Sequence, residues 1–228
     1  MKRIKALIVD WSPPIVFRSW MRFREFRRKQ QSINLLRDAE IAQIIEPNIQ
    51  EVFTSPDWAL FRSHISDAET YSEWGSGAST LYAAQKSNNL FLSVETDEKW
   101  FRAMDTLVPG KLVHVDLGPT EGWGRPRDYA KRHEYENYLE APFLQGPPDL
   151  ILIDGRFRVA CFFSVLLKAR PGTKIIFDDY VDRPHYHLVE EYVRPAEIIG
   201  RQAAFVVPKT IDKKQILKEL EKFVYVMD

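Results

Sequence analysis

From residue 68 onward, short apolar runs alternate with amphipathic stretches, and the two periodicities predict alternating strands and helices. Strands are expected at 68–73, 90–95, 112–117, 150–153 and 174–177. The run Leu150-Ile151-Leu152-Ile153 is apolar at every position, as a strand buried on both faces should be. Helices are expected from Thr80 to about Lys86, and over 97–107 with Trp100, Phe101, Met104 and Leu107. Another is expected over 157–168, stopped by Pro171-Gly172. Residues 186–193 read as a helix, and 196–199 with 203–207 as a hairpin around Gly200-Arg201-Gln202. Residues 211–224 read as a last amphipathic helix, with Ile216, Leu217, Leu220, Phe223 and Val224 on one side for packing or for a homodimer. Alternation of this kind implies an α/β fold with a doubly wound, mostly parallel sheet, closed here by an antiparallel hairpin.

The pattern upstream is helical. Val16, Trp20, Phe23 and Arg27 predict a helix over 15–30 after the Pro13-Pro14 break. Leu35, Leu36, Ile41, Ile44 and Ile45 predict a second over 34–50, which Pro47 ends or kinks. Ser55-Pro56-Asp57 reads as a turn or helix start before Trp58, Leu60, Phe61 and Ile65. The chain thus divides into a basic aromatic segment 1–30, a helical extension 31–67, an α/β domain 68–208 and a C-terminal helix 209–228.

Charge changes this picture at one place. Basic and acidic residues balance at 32 each, yet residues 1–29 hold nine Lys/Arg against Asp10 and Glu25. A basic helix carrying Trp20, Phe23 and Phe26 suits peripheral contact with an anionic membrane face; the plain alternative is a packed helix with a solvated basic side. Nucleic acid is disfavoured, because no recognised binding motif accompanies the patch. The single cysteine, Cys161, excludes an intramolecular disulfide and points to the cytoplasm or another reducing compartment. It sits in an apolar run and reads as a core thiol. The apolar stretch Ala6 to Val9 is too short for a secretory signal core, so none is expected.

Candidate chemistry gathers where predicted strands end, since ligands of open α/β sheets bind beyond the carboxyl ends of the strands. Glu73 precedes the turn Gly75-Ser76-Gly77, whose glycines allow a sharp bend and close approach of a ligand. Glu95 ends the next strand about 20 residues on, where nucleotide-binding βαβ units hold a ribose diol. The turn is not the dinucleotide fingerprint G-x-G-x-x-G, because Thr80 stands where its last glycine would be. Asp116, Asp154 and the pair Asp178-Asp179 follow the remaining strands. Helix capping accounts for some of these acids but not readily for the full set.

Glu73-Trp74-Gly75-Ser76-Gly77-Ala78-Ser79 resembles the first motif of class I S-adenosylmethionine (SAM)-dependent methyltransferases, acid-x-Gly-x-Gly-x-Gly, with Ser79 for the third glycine. The resemblance implies that Glu73, Gly75, Ser76, Gly77 and Glu95 hold the cofactor. Asp116 would accept from an adenine amino group or serve its own turn, and Asp154 would lie next to the transferring methyl group. Asp154 with Asp178-Asp179 is similar to metal-dependent O-methyltransferases of the catechol and macrolide-sugar types, which implies one Mg²⁺ on these three acids; the alternative is a cap or turn role. A hard cation on carboxylates would acidify a substrate hydroxyl. Asp154, Asp179 and His185 are then the catalytic candidates, with His187 nearby and loop exposure the plain reading of both histidines. The segments 116–126, 153–161 and 177–180 together resemble a family of bacterial methyltransferase-like proteins, over residues 68–208.

The insert 119–148 is rich in Trp, Tyr, Arg and Gly, and Trp123, Arg125, Arg127, Tyr129, His133 and Tyr135 are candidates to contact an acceptor. Arg156 and Arg158 suit an acidic or phosphorylated substrate, or else pair with the nearby acids. The resulting expectation is a methyltransferase acting on an oxygen of a small-molecule or glycan-linked acceptor, cytoplasmic and held at the inner membrane face by residues 1–30. Its rivals are a methyltransferase-like binding protein without turnover and another nucleotide-handling enzyme, such as a nucleotide-sugar oxidoreductase.

Overall fold

A computed structural model of the chain describes residues 54–86 and 90–227. The expected helices over 15–30 and 34–50, and with them the membrane-facing segment, lie outside the described residues. Five parallel strands are β1 (Thr70–Trp74), β2 (Leu90–Glu95), β3 (Leu112–His114), β6 (Leu150–Ile153) and β7 (Lys174–Phe177). Between β3 and β6 lies a two-stranded hairpin, β4 (Thr120–Glu121) and β5 (Arg125–Pro126). The chain closes the main sheet with β8 (Glu197–Ile199) and β9 (Gln202–Val206), both antiparallel. The main-sheet order is β3-β2-β1-β6-β7-β9-β8. The doubly wound sheet with a closing antiparallel hairpin is therefore present.

Period-two alternation sends each strand's side chains to both faces, so both need a cover. Ile151, Ile153, Ile175, Phe177 and Trp74 enter one core, packed with Phe162, Phe163, Tyr138 and Ile216. Leu150, Leu152, Ile176 and Tyr71 enter the other, packed with Trp58, Leu60, Phe61 and Ile65. The second cover comes from a 3₁₀ turn Pro56–Trp58 and α1 (Ala59–Ile65). Helix α2 (Ala78–Lys86) leads from β1 to β2, and α3 (Glu98–Leu107) from β2 to β3. Asp97 caps α3 by accepting from the Trp100 amide at 2.9 Å. Within the insert lies α4 (Tyr135–Glu140), and α5 (Arg158–Lys168) follows β6, buried along nearly its whole length.

Three expectations change in detail. The third strand stops at His114 rather than Leu117. The segment expected as a helix over 186–193 is a 3₁₀ helix, Pro184–Glu191. In α6 (Lys213–Phe223), Ile216, Leu220 and Phe223 pack on the first core while Leu217, one position round from Ile216, is exposed. Among the described residues no helix is long and apolar enough to cross a membrane.

Candidate functional site

The turn after β1 is built from below. Trp74 is fully buried and anchors the strand end by donating from Nε1 to the Tyr138 carbonyl at 2.8 Å. Gly75 has φ +91°, and a Cβ there would lie 2.8 Å from the Asp154 carbonyl oxygen and 2.9 Å from the Gly155 nitrogen. Only glycine lets the two strand-end loops pass this closely. At Gly77 the situation is reversed: a Cβ would meet nothing within 4 Å, so the turn faces open space there.

Glu73 does not face that space. It is fully buried and accepts from Tyr71 Oη at 2.5 Å and from the hydroxyls of Ser79 and Thr80. Burial raises its pKa, and the hydrogen bonds from Ser79, Thr80 and Tyr71 oppose that rise. Its negative end sits below the start of α2, where the helix dipole favours it. Ser79 in the third-glycine position is thus used inward and takes nothing from the ligand side. Glu73 braces the turn and is out of reach of a ligand.

Glu95, 7 % exposed, stands across from the turn. Its Oε2 accepts from the Ser76 amide at 3.2 Å and the Ser76 hydroxyl at 2.6 Å. Its Oε1 accepts from the amides of Thr96 at 2.7 Å and Asp97 at 2.9 Å. Burial raises its pKa, and these donors hold the rise in check. Trp100 Nε1 completes the ring by donating to the Ser76 carbonyl at 2.9 Å.

Asp154, Asp178 and Asp179 are brought together at the ends of β6 and β7, with one carboxylate oxygen of each within 4.8 Å of the others. Three arginines contact these acids. Arg158, 2 % exposed, donates from Nη2 to Asp154 Oδ1 at 2.9 Å and from Nη1 to the Asp178 carbonyl at 2.7 Å. Arg183 Nη2 donates to Asp179 Oδ2 at 2.7 Å. Arg201 Nε donates to Asp178 Oδ1 at 3.0 Å, while its Nη2 lies 2.7 Å from Oδ2, off the hydrogen-bond direction. Gln202 Nε2 also donates to Asp178 Oδ1, at 2.8 Å. Burial opposes ionisation of Asp179, but Arg158, Arg201 and Arg183 outweigh it and hold the carboxyl below its usual range. Asp154 behaves oppositely: burial and the neighbouring Asp178 push its pKa well up, with Arg158 opposing. Three carboxylates matched by three guanidiniums do not fit a divalent cation, whose charge would face Arg158 and Arg201 at contact distance. The three acids expected to hold Mg²⁺ thus form one cluster whose charge Arg158, Arg183 and Arg201 compensate.

The remaining candidates lie apart or have other work. Asp116 is exposed, accepts from the Gly118 amide at 2.9 Å and pairs with Lys131, whose hydrogen bond lowers its pKa. His185 is exposed with its ring centroid 4.3 Å from that of Tyr186, and His187 bonds the Tyr180 carbonyl at 3.1 Å. In the insert, Tyr135 is buried against Phe157 and belongs to the core. Arg125, Arg127, Tyr129 and His133 are exposed and Trp123 is half-buried. Cys161 is buried, as its apolar surroundings imply. A groove of about 470 Å³ runs beside β3 and α4, past Asp116 and Lys131; Gly75, Glu95 and Asp154 do not line it. Sequence reasoning missed Arg183, Arg201 and Gln202. Arg158 and Arg183 carried a local signal, the i, i+4 spacing from Asp154 and Asp179.

No protein-family model and no curated protein matches the chain. A solved methyltransferase-like protein of Silicibacter pomeroyi is 34% identical, with a TM-score of 0.67, over 75% of this chain and 94% of that one. Human N-acetylserotonin methyltransferase, solved with SAM, is 11% identical with a TM-score of 0.44, over 76% of this chain and 57% of that one. Identity of 34% spread along almost the whole of the Silicibacter protein, on a sheet of this order with a glycine turn after its first strand and an acid after its second, means that the chain belongs to the class I methyltransferase-like family.

Proposed function

We propose that this protein is a SAM-dependent methyltransferase acting on an oxygen of a small-molecule or glycan-linked acceptor, without a resident divalent metal. The observation that carries the reading is the pairing of Glu95 with the Gly75-Ser76-Gly77 turn, with open space over Gly77. Glu95 offers a ribose hydroxyl a carboxylate acceptor. Gly77 leaves room for the ligand to lie against the backbone, and Trp100 holds Ser76 in place. When bound, SAM supplies an electrophilic methyl group on a sulfonium centre.

Asp154 is the candidate to take the acceptor's proton. Arg158 binds its Oδ1, and among the described residues Oδ2 has no hydrogen-bond partner. The side chain is 27% exposed, so an acceptor hydroxyl can reach it. A raised pKa brings this carboxylate nearer to that of a useful general base. Alignment of acceptor and methyl group supplies much of the remaining rate.

Calorimetric titration with SAM and with S-adenosylhomocysteine (SAH), with a Glu95→Ala control, tests the reading. Micromolar binding lost in the control supports it, and absence of binding refutes it. One observation favours a second reading, a methyltransferase-like binding protein without turnover. Ser76 already occupies the Glu95 oxygen that a ribose would use. SAM binding with no methyl transfer to any hydroxyl acceptor in a broad screen would select it.

A further inference from the structure

The insert hairpin reaches the same carboxylate from the other side. Gly124 is buried with φ +69°, and a Cβ built there would lie 2.3 Å from Thr96 Oγ1 and 3.2 Å from Glu95 Oε1. Thr96 Oγ1 donates to the Gly124 carbonyl at 2.7 Å in a buried bond. Thr120, at the base of the hairpin, donates to Asp97 Oδ2 at 3.1 Å. The hairpin is thus fastened to the two residues whose amides hold Oε1. Oε1 is walled in by protein, and Oε2, shared with Ser76, is left as the oxygen that can turn to a ligand.

We infer that Gly124 is a positioning residue for the nucleoside site: it lets the hairpin close over Glu95 Oε1, so that the carboxylate presents Oε2 alone to a ribose hydroxyl. The inference rests on the SAM reading and deepens it. It assigns a function to part of the 119–148 insert that no strand-end motif marks. A side chain at 124 would meet Thr96 Oγ1 first, inside any real contact distance, and Glu95 Oε1 next. Either the hairpin lifts or the carboxylate turns, and in both cases the ribose loses a pre-set acceptor.

The test is SAH titration of full-length wild type, Gly124→Ala and Gly122→Ala, each also in a Glu95→Gln background. Gly122 is the control, since a Cβ there meets nothing within 4 Å in the same turn. The expected result is a loss of SAH affinity of about tenfold or more for Gly124→Ala and about twofold or less for Gly122→Ala. In the Glu95→Gln background Gly124→Ala should add almost nothing, because its effect runs through that carboxylate. A folded Gly124→Ala protein with wild-type affinity overturns the inference. So does an equal loss in both backgrounds, which would mark a general structural defect. Should Gly124→Ala fail to fold, Thr96→Val replaces it: a loss coupled to Glu95 supports the inference, and unchanged affinity overturns it. Wild type that takes up neither SAM nor SAH overturns the nucleoside reading itself, before any variant is compared.

Discussion

Replacing Arg201 by Met removes the charge while keeping a stem that can pack on Trp58, over whose ring the guanidinium sits at 5.2 Å. Asp178, 1% exposed, then loses the Arg201 guanidinium, among the described residues its only side-chain cation within contact distance, and keeps Gln202 on Oδ1. Taking one partner from a buried ion pair costs roughly 3–5 kcal/mol. Gln202 remains and the Arg201 side chain is 32% exposed, so solvent screening brings the cost to or just below the bottom of that range, about 2–3 kcal/mol. For a domain of this size that lowers Tm by roughly 5–10 °C. Differential scanning calorimetry at neutral pH, with and without Mg²⁺, is the assay. A variant as stable as wild type at neutral pH would refute the reasoning. So would a saturable rise in wild-type Tm with Mg²⁺, because a cation would then be entering a cluster assigned to arginines.

Further outcomes follow from the site. Gly77→Ala should leave Tm within about 1 °C, since its Cβ meets nothing, yet weaken SAH binding about tenfold by filling the ligand's approach. Gly75→Ala should instead lower stability by about 1–3 kcal/mol, from positive φ and contact with the Asp154 carbonyl, measured by urea unfolding. Glu73→Ala leaves the buried hydroxyls of Tyr71, Ser79 and Thr80 without their acceptor and should cost at least about 2 kcal/mol by the same method. Methyl transfer should fall on the acid side with an apparent pKa above the usual aspartate range, since Asp154 acts unprotonated and its pKa is raised. Asp154→Asn should abolish that limb while SAH affinity changes little.

Much of this architecture is legible from one-dimensional pattern. Leu150-Ile151-Leu152-Ile153 declares a strand covered on both faces, and the structure divides its residues between two cores. Glycines at 75 and 77 with Glu95 one strand later point to a nucleoside site, and the structure places them side by side. Strand ends and helix caps are written in adjacent residues, because backbone geometry and period-two or period-3.6 burial depend on near neighbours.

The direction of each acid was decided elsewhere. Glu73 and Glu95 look equivalent on paper, yet one is sealed under α2 by hydroxyls and the other stands at the mouth of the turn. Asp178-Asp179 has the composition of a cation site. Its partner Arg201 is 23 positions from Asp178 and arrives only because β9 runs antiparallel beside β7, pairing Phe177 with Ala203. Gly124 reaches Glu95 in the same way, through a hairpin whose landing place no local pattern encodes. Periodicity is a property of sequence neighbours, whereas charge compensation and the walling of a carboxylate depend on distance in space, which strand register and loop closure set.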